Sequence, residues 1–176
     1  NAESQVTTDG KRNSIINGIP DWVYEEEFST NRSMVFTADS KQIVWIKYDE
    51  SKVKEFTFPW FKGANPSRDE YLTYPGSYVY KYPKAGEDNS KVAVYSFDIK
   101  SRKTRKMEVP LDEDGYIPRI TMTSDPTKVA VFTMNRHQDD MRIYMVNPLT
   151  TIAKLAVQDK VEKYVKQEAM CAVTFT

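Results

Sequence analysis

The sequence predicts an all-β chain: two four-stranded antiparallel blades of a β-propeller, with parts of the neighbouring blades at either end. Three observations carry this. Short runs rich in β-branched and aromatic residues recur with turn residues between them, while helical periodicity is scarce. The runs fall into two sets of four. The sets also resemble each other: "TADSKQIVWI" from Thr37 and "TSDPTKVAVF" from Thr123 share a Thr, a small residue, an Asp, a three-residue turn and an apolar run. Four-strand repeats of roughly 40–45 residues mark propeller blades. The copies are offset by 86 residues, about one blade period too many, and the surplus sits between Asp49 and Asn89.

Taken in order, residues 5–12 ("QVTTDGK" and its turn) read as the end of a preceding blade, and 13–30 as a connection. The first blade occupies 31–110. Its strands are expected at Ser33–Thr37, Ile43–Tyr48, Val92–Phe97 and Arg105–Val109, with turn signals at Ala38–Lys41 and Asp98–Thr104. Inside it, residues 49–85 form an inserted arm, expected to be irregular because Pro59, Pro66, Pro75 and Pro83 punctuate it. The second blade occupies 117–157, with strands at Arg119–Thr123, Val129–Met134, Arg142–Val146 and Thr151–Leu155. Residues 161–176, ending "AMCAVTFT", read as the start of a following blade. The chain is thus an arc of a larger ring, with open edges that favour association.

Bulk properties narrow the function. Lys plus Arg and Asp plus Glu both number 25, so no net field draws a nucleic acid or an anionic membrane. No apolar run is long enough to span a bilayer. The single Cys171 excludes an internal disulfide and a Cys-rich metal site. The chain opens Asn-Ala rather than Met, as expected of a piece excised from a longer protein, so the absence of a visible signal peptide is uninformative.

One stretch carries chemistry. "DWVYEEEF" (Asp21–Phe28) sets three carboxylates against Trp, Val, Tyr and Phe. Acids held beside an apolar run either form a solvated turn or meet a cation. Consecutive side chains on a strand point to opposite faces, so neighbouring glutamates could not grip one group there. On a helical turn they diverge by about 100°, and flexible stems can converge. The motif therefore requires a turn or short helix, with Trp22 and Tyr24 supporting it and Phe28 one turn after Tyr24.

Three segments resemble a known family: "NGIPDWVYEEEF" (Asn17–Phe28), "YPKAGEDNSKV" (Tyr82–Val92) and "MNRHQDDMRIYMVNP" (Met134–Pro148). They are similar, in the same order, to the N-terminal β-propeller domain of dipeptidyl peptidase IV, a serine exopeptidase of the prolyl oligopeptidase family, and the chain looks like a bacterial member. The resemblance runs from about Val6 to Tyr164. It implies an eight-bladed ring stacked on a C-terminal α/β-hydrolase domain carrying Ser, Asp and His. It implies that a pair of glutamates, Glu26 and Glu27 here, binds the free amino terminus of a peptide while the hydrolase domain removes a dipeptide with Pro or Ala second. It also implies a homodimer contacted by the arm, whose aromatic residues are Phe56, Phe58, Trp60 and Phe61, and a periplasmic or cell-surface location. The family's further substrate-holding Arg has no matching position.

Other candidates are weaker. His137 is the sole histidine and falls in a strand connection; with Asp139 and Asp140 it makes a poor metal site. No Gly-x-Ser-x-Gly occurs, so the segment itself should be inert. Cys171 reads as a small buried hydrophobe. "KSRKTRK" (Lys100–Lys106) reads as a solvated hairpin, and Asn31 heads a formal glycosylation sequon. No cofactor or metal is called for. The alternative function is a noncatalytic propeller that binds peptides or proteins; a Gly-x-Ser-x-Gly downstream of Thr176, followed by Asp and His, distinguishes the enzyme.

Overall fold

The computed structural model describes residues 3–61, 74–166 and 173–175. Among these the chain is a partial β-propeller. The first sheet is built on β3 (Gln42–Asp49), which pairs with β6 (Lys91–Asp98), and β6 with β7 (Lys103–Lys106), all antiparallel. The other edge of β3 carries two short strands, β1 (Ile15–Asn17) and β2 (Met34–Phe36). The second sheet runs β8 (Tyr116–Met122), β9 (Val129–Met134), β10 (Asp140–Val146) and β11 (Ala153–Lys160) as an antiparallel meander. A hairpin of β4 (Glu55–Trp60) and β5 (Gly76–Lys81) forms the arm between β3 and β6.

Alternation along β3 decides how the sheets stack. Val44, Ile46 and Tyr48 share one face and join a single apolar cluster with Val94 of the first sheet and Ile117, Ile120, Val129, Val131 and Ile143 of the second. The blades are also joined by polar bonds: Ser96 Oγ donates to Pro148 O (2.7 Å) and Glu108 N to Thr151 O (3.0 Å).

Several boundaries differ from the sequence reading, each for a physical reason. The connection over 13–30 contains β1, which belongs to the first sheet. β8 begins at Tyr116, because a register shift between Tyr116 and Arg119 accommodates Pro118. β11 runs on through polar Gln158–Lys160, an edge strand exposed along nearly its whole length. The described part of the arm is a regular hairpin where irregular chain was expected; residues 62–73, with Pro66, lie outside the described residues. Residues 3–10 form no strand; Asp9 instead accepts bonds from Asn17 and Lys47 of the first sheet. Of the segment read as a following blade, Gln167–Ala172 (with Cys171) and Thr176 lie outside the described residues. Phe175 packs edge-on to Phe132.

Candidate functional site

The first strand of the blade is interrupted. Gly18 N donates to Ile46 O (3.0 Å), Ile46 N donates to Ser33 O (2.8 Å), and Ser33 N donates to Gly18 O (3.0 Å). Ile46 thus shares its two ladder bonds between Gly18 and Ser33, and residues 19–32 leave the sheet through a closed neck. Gly18 sits at φ +75, a conformation glycine adopts without strain.

That excursion carries α1 (Trp22–Glu27), the helix the acidic motif requires. Asp21 caps it in an extended conformation, its Oδ1 accepting from Tyr24 N at 3.0 Å. Its Oδ2 accepts from Ser90 Oγ at 2.5 Å, just before β6. Ser29, at φ +50, ends the helix, and Thr30 N closes on Tyr24 O. Tyr24, only 1% exposed, lies between the blades. Its ring meets Tyr48 at 4.9 Å and Tyr116 at 6.2 Å, and its hydroxyl accepts from Ile117 N at 3.0 Å. Burial drives the Tyr24 phenol well above its ordinary value. The helix is held at its cap and along its buried side.

With that side fixed, Glu25, Glu26 and Glu27 are exposed. Among the described residues no ion pair reaches any of the three. Glu25 belongs to the first turn, while Glu26 and Glu27 sit at the helix's C-terminal end, where unpaired carbonyls already make the field negative. That end repels anions and attracts a cation. Glu25 and Glu26 line an open cavity of about 840 Å³ with Trp22, Asp21, Glu50 and the arm's Tyr78 and Tyr80. Glu27 does not line it. Burial, then the nearness of Asp21, pushes the Glu50 carboxyl up; burial likewise raises Asp21, against the bonds from Ser90 and Tyr24.

The arm presents one aromatic face. Phe56, Phe58 and Trp60 on β4 lie beside Tyr80 and Tyr78 on β5, with Tyr82 at the base. Phe58 stacks on Tyr80 at 5.3 Å, and Trp60 meets Tyr78 at 5.3 Å. Phe61 is also exposed.

The family model of the dipeptidyl peptidase IV (DPP IV) N-terminal region matches residues 1–175. The chain belongs to that family. It superposes on the crystal structure of Porphyromonas gingivalis dipeptidyl peptidase 4 with a TM-score of 0.91 at 42% identity, covering 99% of this chain and 24% of that one. It is 32% identical over 157 residues to the Coccidioides posadasii protein described as "Probable dipeptidyl-aminopeptidase B", covering 86% of this chain and 17% of that protein. A protein of the same description from Emericella nidulans is 33% identical over 162 residues, covering 88% of this chain and 18% of that protein. The chain thus spans less than a fifth of the curated relatives it matches.

Within this dipeptidyl peptidase IV N-terminal region the singled-out residues separate cleanly. Glu26 stands in the cavity wall, and Glu27 is exposed on the next face of the same turn. Trp22 and Tyr24 anchor the helix on two different sides. Sequence reasoning missed Glu25 as a cavity residue, Asp21 as the cap, and the Tyr78–Tyr80–Tyr82 wall. The cap was findable: an Asp directly before an apolar run is a helix-start signal. So was the wall, since "SYVYKY" alternates. His137 lies exposed in the β9–β10 turn, and "KSRKTRK" spans the β6–β7 turn and β7. Among the described residues no three His, Cys, Asp or Glu side chains gather as metal ligands, and no helix is long and apolar enough to cross a membrane.

Proposed function

We propose that this chain is the substrate-amine-recognising segment of a serine-type dipeptidyl peptidase, which removes N-terminal dipeptides with Pro or Ala second. Cleavage belongs to a hydrolase domain elsewhere in the parent protein. The observation that carries the reading is the clamped helical turn with ion-unpaired carboxylates at its carbonyl end, opening on a cavity.

A peptide's α-ammonium has three N–H donors, and Glu26 and Glu27 offer charge-assisted acceptors for them. Fixing the amine there and the nucleophile on another domain leaves only the second peptide bond in reach, and such positioning lowers the barrier by removing orientational freedom before reaction. A blocked or internal peptide brings no cation, so it leaves the carboxylates unmatched and is rejected.

In the full parent enzyme, Glu26→Gln and Glu27→Gln should each lower kcat/KM on an Ala-Pro anilide by about 10–100-fold, the scale of one lost charge-assisted bond. An N-acetylated substrate should be poor for wild type and no poorer for the variants. Near-normal turnover of the free-amine substrate by both variants would end this reading. The exposed aromatic face of the arm (Phe56, Phe58, Trp60 and Phe61) supports a second element of it, a homodimer contact. Phe58→Ser combined with Trp60→Ser should shift the parent from dimer to monomer in light scattering; an unchanged dimer removes the arm from the interface.

A further inference from the structure

A six-residue helix barely supports itself, because so short a segment makes too few internal bonds to offset nucleation. α1 is therefore as rigid as its attachments. Three of them reach the blades: Asp21 to Ser90, Tyr24 to Tyr48 and Ile117, and Phe28 at the helix end to Tyr116. All three act on the helix ends and the buried side.

A further attachment does not reach a blade. Trp22 packs on Tyr82 with ring centroids 4.2 Å apart and planes tilted by 47°. Tyr82 stands at the base of the arm, its N–H bonded to Lys54 O at 2.9 Å. Trp22 is three residues before Glu25 and four before Glu26, so all three share a helix face. Glu27, five residues on, faces about 140° away. From Tyr82 the ring contacts continue through Phe56 (5.7 Å), Phe58 (4.7 Å from Phe56) and Tyr80 (5.3 Å from Phe58). Tyr80 lies within the electrostatic reach of Glu26 and lines the same cavity. The arm therefore meets the Glu26 face twice: at Trp22 one turn below, and at Tyr80 alongside.

We infer that Tyr82 is a positioning residue for Glu26: with the buried side of α1 fixed by the blades, Tyr82 seated on Trp22 and Tyr80 beside Glu26 brace the cavity face, which makes the arm part of the amine-recognition apparatus. The two glutamates are then not equivalent. Glu26 stands on the face the arm braces, whereas Glu27 is turned away from the arm. This rests on the reading of both as amine acceptors.

The test is a double-mutant cycle in the full parent enzyme with an Ala-Pro anilide. Tyr82→Leu should raise KM about tenfold with kcat within about threefold, the pattern of lost substrate binding rather than lost chemistry. Tyr82→Phe, which keeps the ring, should restore the wild-type KM. Added to Glu26→Gln, Tyr82→Leu should cost less than a further twofold or so; added to Glu27→Gln it should cost its full tenfold. An unchanged KM in Tyr82→Leu, or equal multiplication with both glutamate variants, overturns the inference while leaving the amine site intact. If Glu26→Gln and Glu27→Gln themselves turn over the substrate like wild type, the amine site falls and this inference with it. Should Tyr82→Leu not fold, judged by its thermal midpoint, Trp22→Leu removes the same contact from the other side and carries the same expectations.

Discussion

Two insertions leave the same blade, and they are held in opposite ways. The α1 excursion is tied inward: its cap reaches Ser90, and Tyr24 fills space between two sheets with its hydroxyl on a backbone N–H. The arm is tied mainly to itself. Every residue of β4 is exposed, and its rings touch chiefly one another across the hairpin. Cross-strand aromatic pairs suffice to hold a two-stranded ribbon's shape. Fixing a helix on the blades demands buried anchors, whereas presenting a broad surface does not, and the arm adds to those anchors only its contact at Trp22.

That contrast breaks most visibly at Tyr24. Tyr24→Ala should cost about 3–5 kcal/mol, the scale of emptying a fully buried aromatic site. Tyr24→Phe, which strands only the Ile117 N–H, should cost about 1–3 kcal/mol. Urea titration of the parent checks both, and a loss under about 1 kcal/mol for the alanine variant would show that the clamp does not hold the helix.

A subtler effect comes from the carboxyls behind it. Asp21 and Glu50 both have folded-state pKa values raised above the ordinary 3.8 and 4.5, chiefly by burial. The fold therefore favours their protonated forms. Their contribution is fully present below the ordinary values and is lost as pH rises through the raised ones. Glu50→Gln should be more stable than wild type at pH 7, and that advantage should vanish as pH falls toward 4.5. A difference that is flat across this range, or grows toward acid, contradicts the assignment. The smallest effect belongs to the arm: Phe58→Ser with Trp60→Ser should change the fold's stability by no more than about 1 kcal/mol, since exposed side chains away from buried features rarely matter more. A cost above about 2 kcal/mol would mean that the arm is packed like a core.

Much of this was legible in the sequence. Alternation located the central strands, and β9 falls on the expected Val129–Met134. The demand that adjacent glutamates converge correctly called for a helical turn. What escaped had little local signature. β1 is three residues long, too short for any periodicity to register. The prolines of the arm hid β4 and β5, although Pro59 is tolerated because a two-stranded ribbon leaves one side of each strand without a ladder partner. The anchors of α1 join residues 69 and 93 positions apart, contacts that no local pattern encodes. Those distant contacts choose which face of the turn meets the cavity, so Glu25 stands there with Glu26 while Glu27 does not.

The closed neck has a consequence beyond the site itself. Because Ile46 finds its donor in Gly18 and its acceptor in Ser33, the ladder passes the departure point as though the strand were whole. Residues 19–32 are thus a cassette plugged into an uninterrupted frame. Its length and contents can change without shifting the blade's register, so the face that this excursion presents varies independently of the scaffold beneath it.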